Sequence, residues 1–149
     1  MRITALNIMV VATLFATRSG AVELVTAEEF RLSQDALMLE AELSVPDPNG
    51  PLIQLLDPVS LELPFKNPFK MEVLFKPQNG STIDFSSFKA FYGAFKLDIT
   101  ERLLKEAVKT SSGLRLANVN IPTGRHKLYI SIKDNLGHTT AKEIAFKVE

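Results

Sequence analysis

The chain has 149 residues, 17 Lys/Arg against 17 Asp/Glu, ten phenylalanines and no cysteine. Without cysteine there are no disulfides, thiolate zinc sites or cysteine nucleophiles, so an apolar core must hold the fold. The even charge balance excludes the strongly basic footprint of a nucleic-acid binder.

Arg2, an uncharged and mostly apolar run from Ile3 to Ala16, and small residues Ser19 and Ala21 spaced as at a cleavage site predict a secretory signal peptide over residues 1–21. The run is shorter than the roughly 20 apolar residues of a spanning helix. Kept uncleaved, it would be an N-terminal anchor; once cleaved, the chain keeps no stable transmembrane span. Taking 21 residues from 149 leaves 128, with 15 basic against 17 acidic side chains and a formal charge of -2. That length suits one domain with a real core.

Thr26-Ala-Glu-Glu29 matches a capping box. Leu32, Ala36, Leu39 and Leu43 follow at helical spacing, which predicts an amphipathic helix from about Ala27 to Leu43. Pro46-Asp-Pro-Asn-Gly-Pro51 is too rich in proline for helix or central strand and reads as a linker, so residues 22–50 form a helix and its tether. Leu52 to Leu56 is a first strand, and Phe69, Met71, Val73 and Phe75 are the inward residues of a second. Phe88, Ala90 and Tyr92, then Phe95, Leu97 and Ile99, alternate on either side of Gly93 as a hairpin or kinked strand. Leu103, Leu104, Ala107 and Val108 switch to helical spacing, predicting a short crossover helix that Gly113 ends. Ala117, Val119 and Ile121, then Leu128, Ile130 and Ile132, then Ile144, Phe146 and Val148 give three more alternating strands between turn clusters. The expected fold is mostly β, an antiparallel sandwich with an N-terminal amphipathic helix and one short crossover helix.

Gly124-Arg-His126-Lys-Leu128-Tyr-Ile130-Ser-Ile132-Lys-Asp134-Asn-Leu-Gly137 resembles the penultimate strand and final hairpin of bacterial immunoglobulin-like domains of cell-envelope and surface proteins. Ile83-Asp84-Phe-Ser-Ser-Phe88-Lys-Ala-Phe-Tyr92-Gly resembles the middle strand of that group. The resemblance implies an immunoglobulin-like sandwich over residues 51–149, and the 99 residues of that span match such a domain in size. It is nearly silent on function, because such sandwiches host adhesins, accessory modules and spacers alike.

His126 shares the parity of Leu128 and Ile130, so a packed, hydrogen-bonded histidine is expected, with a catalytic base as the sharper alternative. His138 sits in the last turn. The two are expected at the bases of adjacent strands, within reach of each other, but without a third ligand for a metal. Asp84, Asp98 and Asp134 lie near strand ends, yet calcium takes six to eight oxygens and the clustered acidic loops that bring them are missing. Asp134-Asn135 reads as turn chemistry. Asn79-Gly-Ser81 matches a glycosylation acceptor but is sufficiently explained as a turn. The serines have no nucleophile elbow around them, and no phosphate loop, dinucleotide fingerprint or zinc-protease motif occurs.

The outer face carries more information than the catalytic inventory. If middle and penultimate strands share a sheet, Lys89, Phe91, Lys127 and Tyr129 point outward together as a partner-binding face, unless the N-terminal helix covers them. The expectation is a periplasmic or secreted, non-catalytic binding or structural module without cofactor or metal, its partner another envelope protein or a glycan and not nucleic acid. The alternatives are a carbohydrate-binding envelope module and a small hydrolase using His126.

Overall fold

The computed structural model describes residues 20–35 and 47–149. In chain order they form β1 (Val22–Glu23), α1 (Ala27–Asp35), β2 (Leu52–Asp57), β3 (Phe69–Lys76), β4 (Ile83–Tyr92) and β5 (Leu97–Asp98). Then come α2 (Thr100–Glu106), β6 (Val108–Lys109), β7 (Gly113–Asn120), β8 (Gly124–Asp134) and β9 (Thr139–Val148). One sheet has the order β1-β7-β3-β2, with β6 also paired to β7; the other has the order β5-β4-β8-β9.

Period-two alternation gives each long strand one apolar face, and the two apolar faces close on a single core. Ile53 pairs with Phe75 and Leu55 with Val73 in the first sheet; Ile130 pairs with Ala90 and Leu128 with Ile144 in the second. Phe75, fully buried, meets the Phe88 ring across the sheets at 5.9 Å. Leu128, Ile130 and Ile132 are buried strand residues, as their spacing predicts.

Strand directions define two ends. The base holds the β4–β5 turn, the end of β7, the start of β8 and the last residues of β9; Phe65 in the β2–β3 loop joins it through its bridge to Val148. The opposite end, the crown, holds the β3–β4 and β8–β9 turns.

Several expectations need correction. Ala117 is exposed, because Phe69 pairs with Val119 but Met71 with Leu116, which puts an extra residue in β7. Asn118, at φ 54°, takes up this bulge and restores Val119 to the core. Phe95 and Leu97 are exposed rather than inward, because β5 has only two residues and the alternation outlasts the pairing. The crossover helix stops at Ala107, before β6. Gly113 instead opens β7, where a Cβ would run into the Val73 carbonyl and Leu74 Cα of β3. A side chain there is excluded by backbone, not by a side chain that can swing away.

At the N-terminus the capping box forms as its sequence predicts. Thr26 N–H donates to Glu29 Oε2 at 2.9 Å, and Glu29 N–H to Thr26 Oγ1 at 3.2 Å. Of the expected apolar stripe Leu32 is exposed, while Phe30 turns in against the core. Ala36, Leu39 and Leu43 lie outside the described residues. The Pro-rich stretch from Asp47 onward is docked rather than free, since the Gln78 side-chain amide donates to the Pro48 and Gly50 carbonyls and Asn79 to Asn49.

Candidate binding face

Because Ala90, Tyr92, Leu128 and Ile130 face the core, their neighbours in β4 and β8 must face out. Phe91 lies directly opposite Tyr129, with Lys89 opposite Ser131 one pair further on. Lys127, next in phase on β8, holds Glu143 of β9 at 3.4 Å. The structure therefore brings Lys89, Phe91, Lys127 and Tyr129 onto one face of one sheet. Phe91 and Tyr129 are half-buried, whereas Lys89 is exposed. Burial, reinforced by the Glu143 charge, pushes the Tyr129 hydroxyl up, so it stays protonated.

Two contributors escaped the sequence reading. Lys96, in the β4–β5 turn at φ 48°, places its ammonium 5.6 Å from the Tyr129 ring centre, a cation–π contact. Glu143 neutralises Lys127. Its out-of-phase place beside Ile144 could have shown it on this face; nothing in the sequence could have placed Lys96.

Helix α1 does not cover these residues with any described contact; it closes the base. Phe30 packs at a tilt, 4.9 Å from the His126 ring, and fills the space a Cβ on Gly124 would need. Ser33 Oγ accepts from Ala94 N–H, and Gln34 donates to the Arg125 carbonyl. Arg102 of α2 clamps Glu29 with two hydrogen bonds of 2.8 and 2.9 Å and reaches the Leu24 carbonyl. This guanidinium holds the Glu29 carboxyl down to about 2.

His126 is buried with both ring nitrogens engaged. Nε2 lies 2.8 Å from the Pro122 carbonyl, which can only accept, so Nε2 carries the proton. Nδ1 of the neutral ring then accepts from the Tyr92 hydroxyl at 2.7 Å. Burial lowers the His126 pKa, opposed by the Pro122 bond, and burial raises that of Tyr92. Both bonds fix the orientation of the ring, which packs between Phe30, Tyr92 and Phe146.

His126 and His138 do not approach each other. They belong to one hairpin, and His126 pairs with Phe146 at the base while His138 lies at the turn of the crown. There Asp134 accepts from the Leu136 and His138 N–H groups through Oδ1, and from the His138 ring through Oδ2 at 2.9 Å. Burial pushes the Asp134 carboxyl up, but these hydrogen bonds outweigh it and hold the carboxyl below its ordinary range. Asp84 and Asp98 likewise bond within their own segments, to Ser86 and Thr100. Among the described residues no group of three or more His, Cys, Asp or Glu side chains could hold a metal ion, and no helix is long and apolar enough to cross a membrane.

The two histidines shift in opposite directions, which gives a pH prediction. Hydrogen bonding to Asp134 raises the His138 pKa, so its stabilisation is complete below the ordinary value of about 6.5 and is lost as pH rises through the folded value. Burial lowers that of His126, so stability is lost as pH falls below about 6.5, where the unfolded state takes the proton first. In His138→Ala only the second effect remains. Urea midpoints should then fall steadily from about pH 7.5 to about pH 5.5, while the parent stays flatter; identical profiles contradict the assignment.

Comparison with protein-family profiles, characterised proteins and solved structures returns no match.

Proposed function

We propose that this chain is an exported, periplasmic or secreted, immunoglobulin-like module of the bacterial cell envelope, non-catalytic, and that it binds another envelope protein through the outer face of β4 and β8. The strand order supports the immunoglobulin-like reading, because in that sandwich the middle, penultimate and last strands are neighbours, as β4, β8 and β9 are. The observation that carries the functional reading is the direct pairing of Phe91 with Tyr129, flanked by Lys89, Lys96 and Lys127. Aromatic anchors with a charged rim are what protein interfaces concentrate.

A glycan is the rival occupant of the same face. Lys96 already lies over the Tyr129 ring, where a sugar would stack, and this favours a protein. The occupied nitrogens of His126 count against the hydrolase alternative.

Phe91→Ala and Tyr129→Ala should each lower retention of the partner from envelope extracts by about 30-fold, the scale of an interfacial hot spot. Thermal unfolding should change little, since one half-buried cross-strand pair on the outer face contributes about 1 kcal/mol. Unchanged retention in both variants contradicts the proposal, and loss of glycan retention alone supports the rival.

A further inference from the structure

We infer that the base of the sandwich rests on a lipid bilayer, into which the tips of the β2–β3 loop and the β4–β5 turn insert. Single exposed apolar side chains are ordinary on any protein. What sets the base apart is their convergence from three segments: Val59 (94% exposed) and Leu63 (72%) on the β2–β3 loop, Phe95 (65%) and Leu97 (40%) around the β4–β5 turn, and Leu32 (48%) on α1. Among the described residues the crown carries Leu136 and Leu52 of this kind, and the remaining three, Leu56, Leu104 and Val108, are scattered singly over β2, α2 and β6.

These tips are held in place. Leu61, between Val59 and Leu63, packs against the core, and Phe65 pairs with Val148, so the loop is fastened at its middle and at its return. Behind the tips lies a row of rings at short centre-to-centre distances: Phe69 to Phe65 at 5.2 Å, Phe65 to Phe146 at 5.3 Å, and Phe146 to His126 at 5.4 Å. The β4–β5 turn is closed by the Lys96 N–H to Gly93 carbonyl bond and tied to α1 by Ser33. Rigid apolar tips at two flanks of one end suit a flat apolar solvent better than a grooved protein surface.

The course of the chain points to the same occupant. β1 pairs with Val119 and Asn120, the last residues of β7, so the described chain enters at the base. Shortly upstream lies the uncharged run Ile3–Ala16, whose composition partitions into a bilayer and which, kept uncleaved as an anchor, holds the base beside the membrane. Charges around the base are mixed, Lys66, Lys96 and Arg125 against Glu28, Glu62 and Glu149, so insertion of apolar tips carries the contact. This inference rests on the exported reading but makes no use of Phe91 or Tyr129.

The chain contains no tryptophan, so one introduced indole reports alone. Leu63→Trp, Phe95→Trp and, at the crown, Leu136→Trp are each made in the full chain and reconstituted in phosphatidylethanolamine–phosphatidylglycerol vesicles with lipids brominated in the acyl chain. The inference expects blue-shifted, quenched emission at positions 63 and 95 and none at 136. Because the bromines sit in the hydrocarbon, mere tethering near the surface gives no quenching. No quenching at 63 and 95, or equal quenching at 136, overturns it. So does a concentration-dependent blue shift at 63 and 95 without vesicles, which makes a second copy of the chain the occupant. Failure here leaves the β4–β8 face untouched, since that is read by partner retention.

Discussion

Phe75→Ala should lower the stability of the domain by about 4 kcal/mol and its melting temperature by roughly 15 °C. Phe75 is fully buried on β3, and its ring bridges the sheets, 5.9 Å from both Phe88 and Phe85 of β4. Truncation removes the transfer free energy of the ring and leaves a cavity between two sheets whose backbones are fixed by their ladders. No disulfide limits the loss, since the chain has no cysteine. Phe95→Ala is the matched control: the same atoms are removed from a side chain 65% exposed, and stability should change by less than about 0.5 kcal/mol. Equal melting shifts for the two variants would mean that the sheets do not share one core.

The second large effect is expected at His126. His126→Ala should cost about 3 to 4 kcal/mol, as a buried ring is lost and the Tyr92 hydroxyl is left without its partner. The damage should also spread to α1, because Phe30 packs on the imidazole at 4.9 Å. Hydrogen exchange should therefore show α1 losing protection first, while β3 and β7 hold theirs until global unfolding. A stable variant with α1 still protected contradicts the reading of His126 as a packing and hydrogen-bonding residue. A turnover that disappears with this substitution contradicts the non-catalytic proposal.

Where alternation ran through whole strands, the sequence was readable. Leu128, Ile130 and Ile132 against Ile144, Phe146 and Val148 are buried as spacing demands, because a pleated strand has one choice of face. Reading failed where a local event reset the phase. The bulge at Asn118 carries no glycine to mark it, and it moved Ala117 from core to solvent. At Phe95 and Leu97 the pattern continued past the point where pairing stops, and alternation does not mark strand ends. β1 has two residues, too few to show a period.

The candidate face was half legible for the same reason. Parity put Lys89, Phe91, Lys127 and Tyr129 outward, and the shared sheet made them neighbours. Lys96 depends on a left-handed turn residue, and the docking of α1, through Phe30 on His126 and through Glu29 on Arg102 73 residues away, depends on tertiary partners. Helical spacing favoured Leu32 instead, and that side chain faces water. Two histidines twelve positions apart could be taken for neighbours only until the hairpin register placed one at each end.

Site-specific photocrosslinking in intact cells tests the central claim most directly. A photoreactive residue replaces Lys89 or Lys127 on the β4–β8 face, or Lys70 or Lys76 on the outer side of β3. The account predicts a discrete adduct from positions 89 and 127, abolished by Tyr129→Ala, and none from 70 or 76. Adducts from β3 alone, or equally from both sheets, would contradict it.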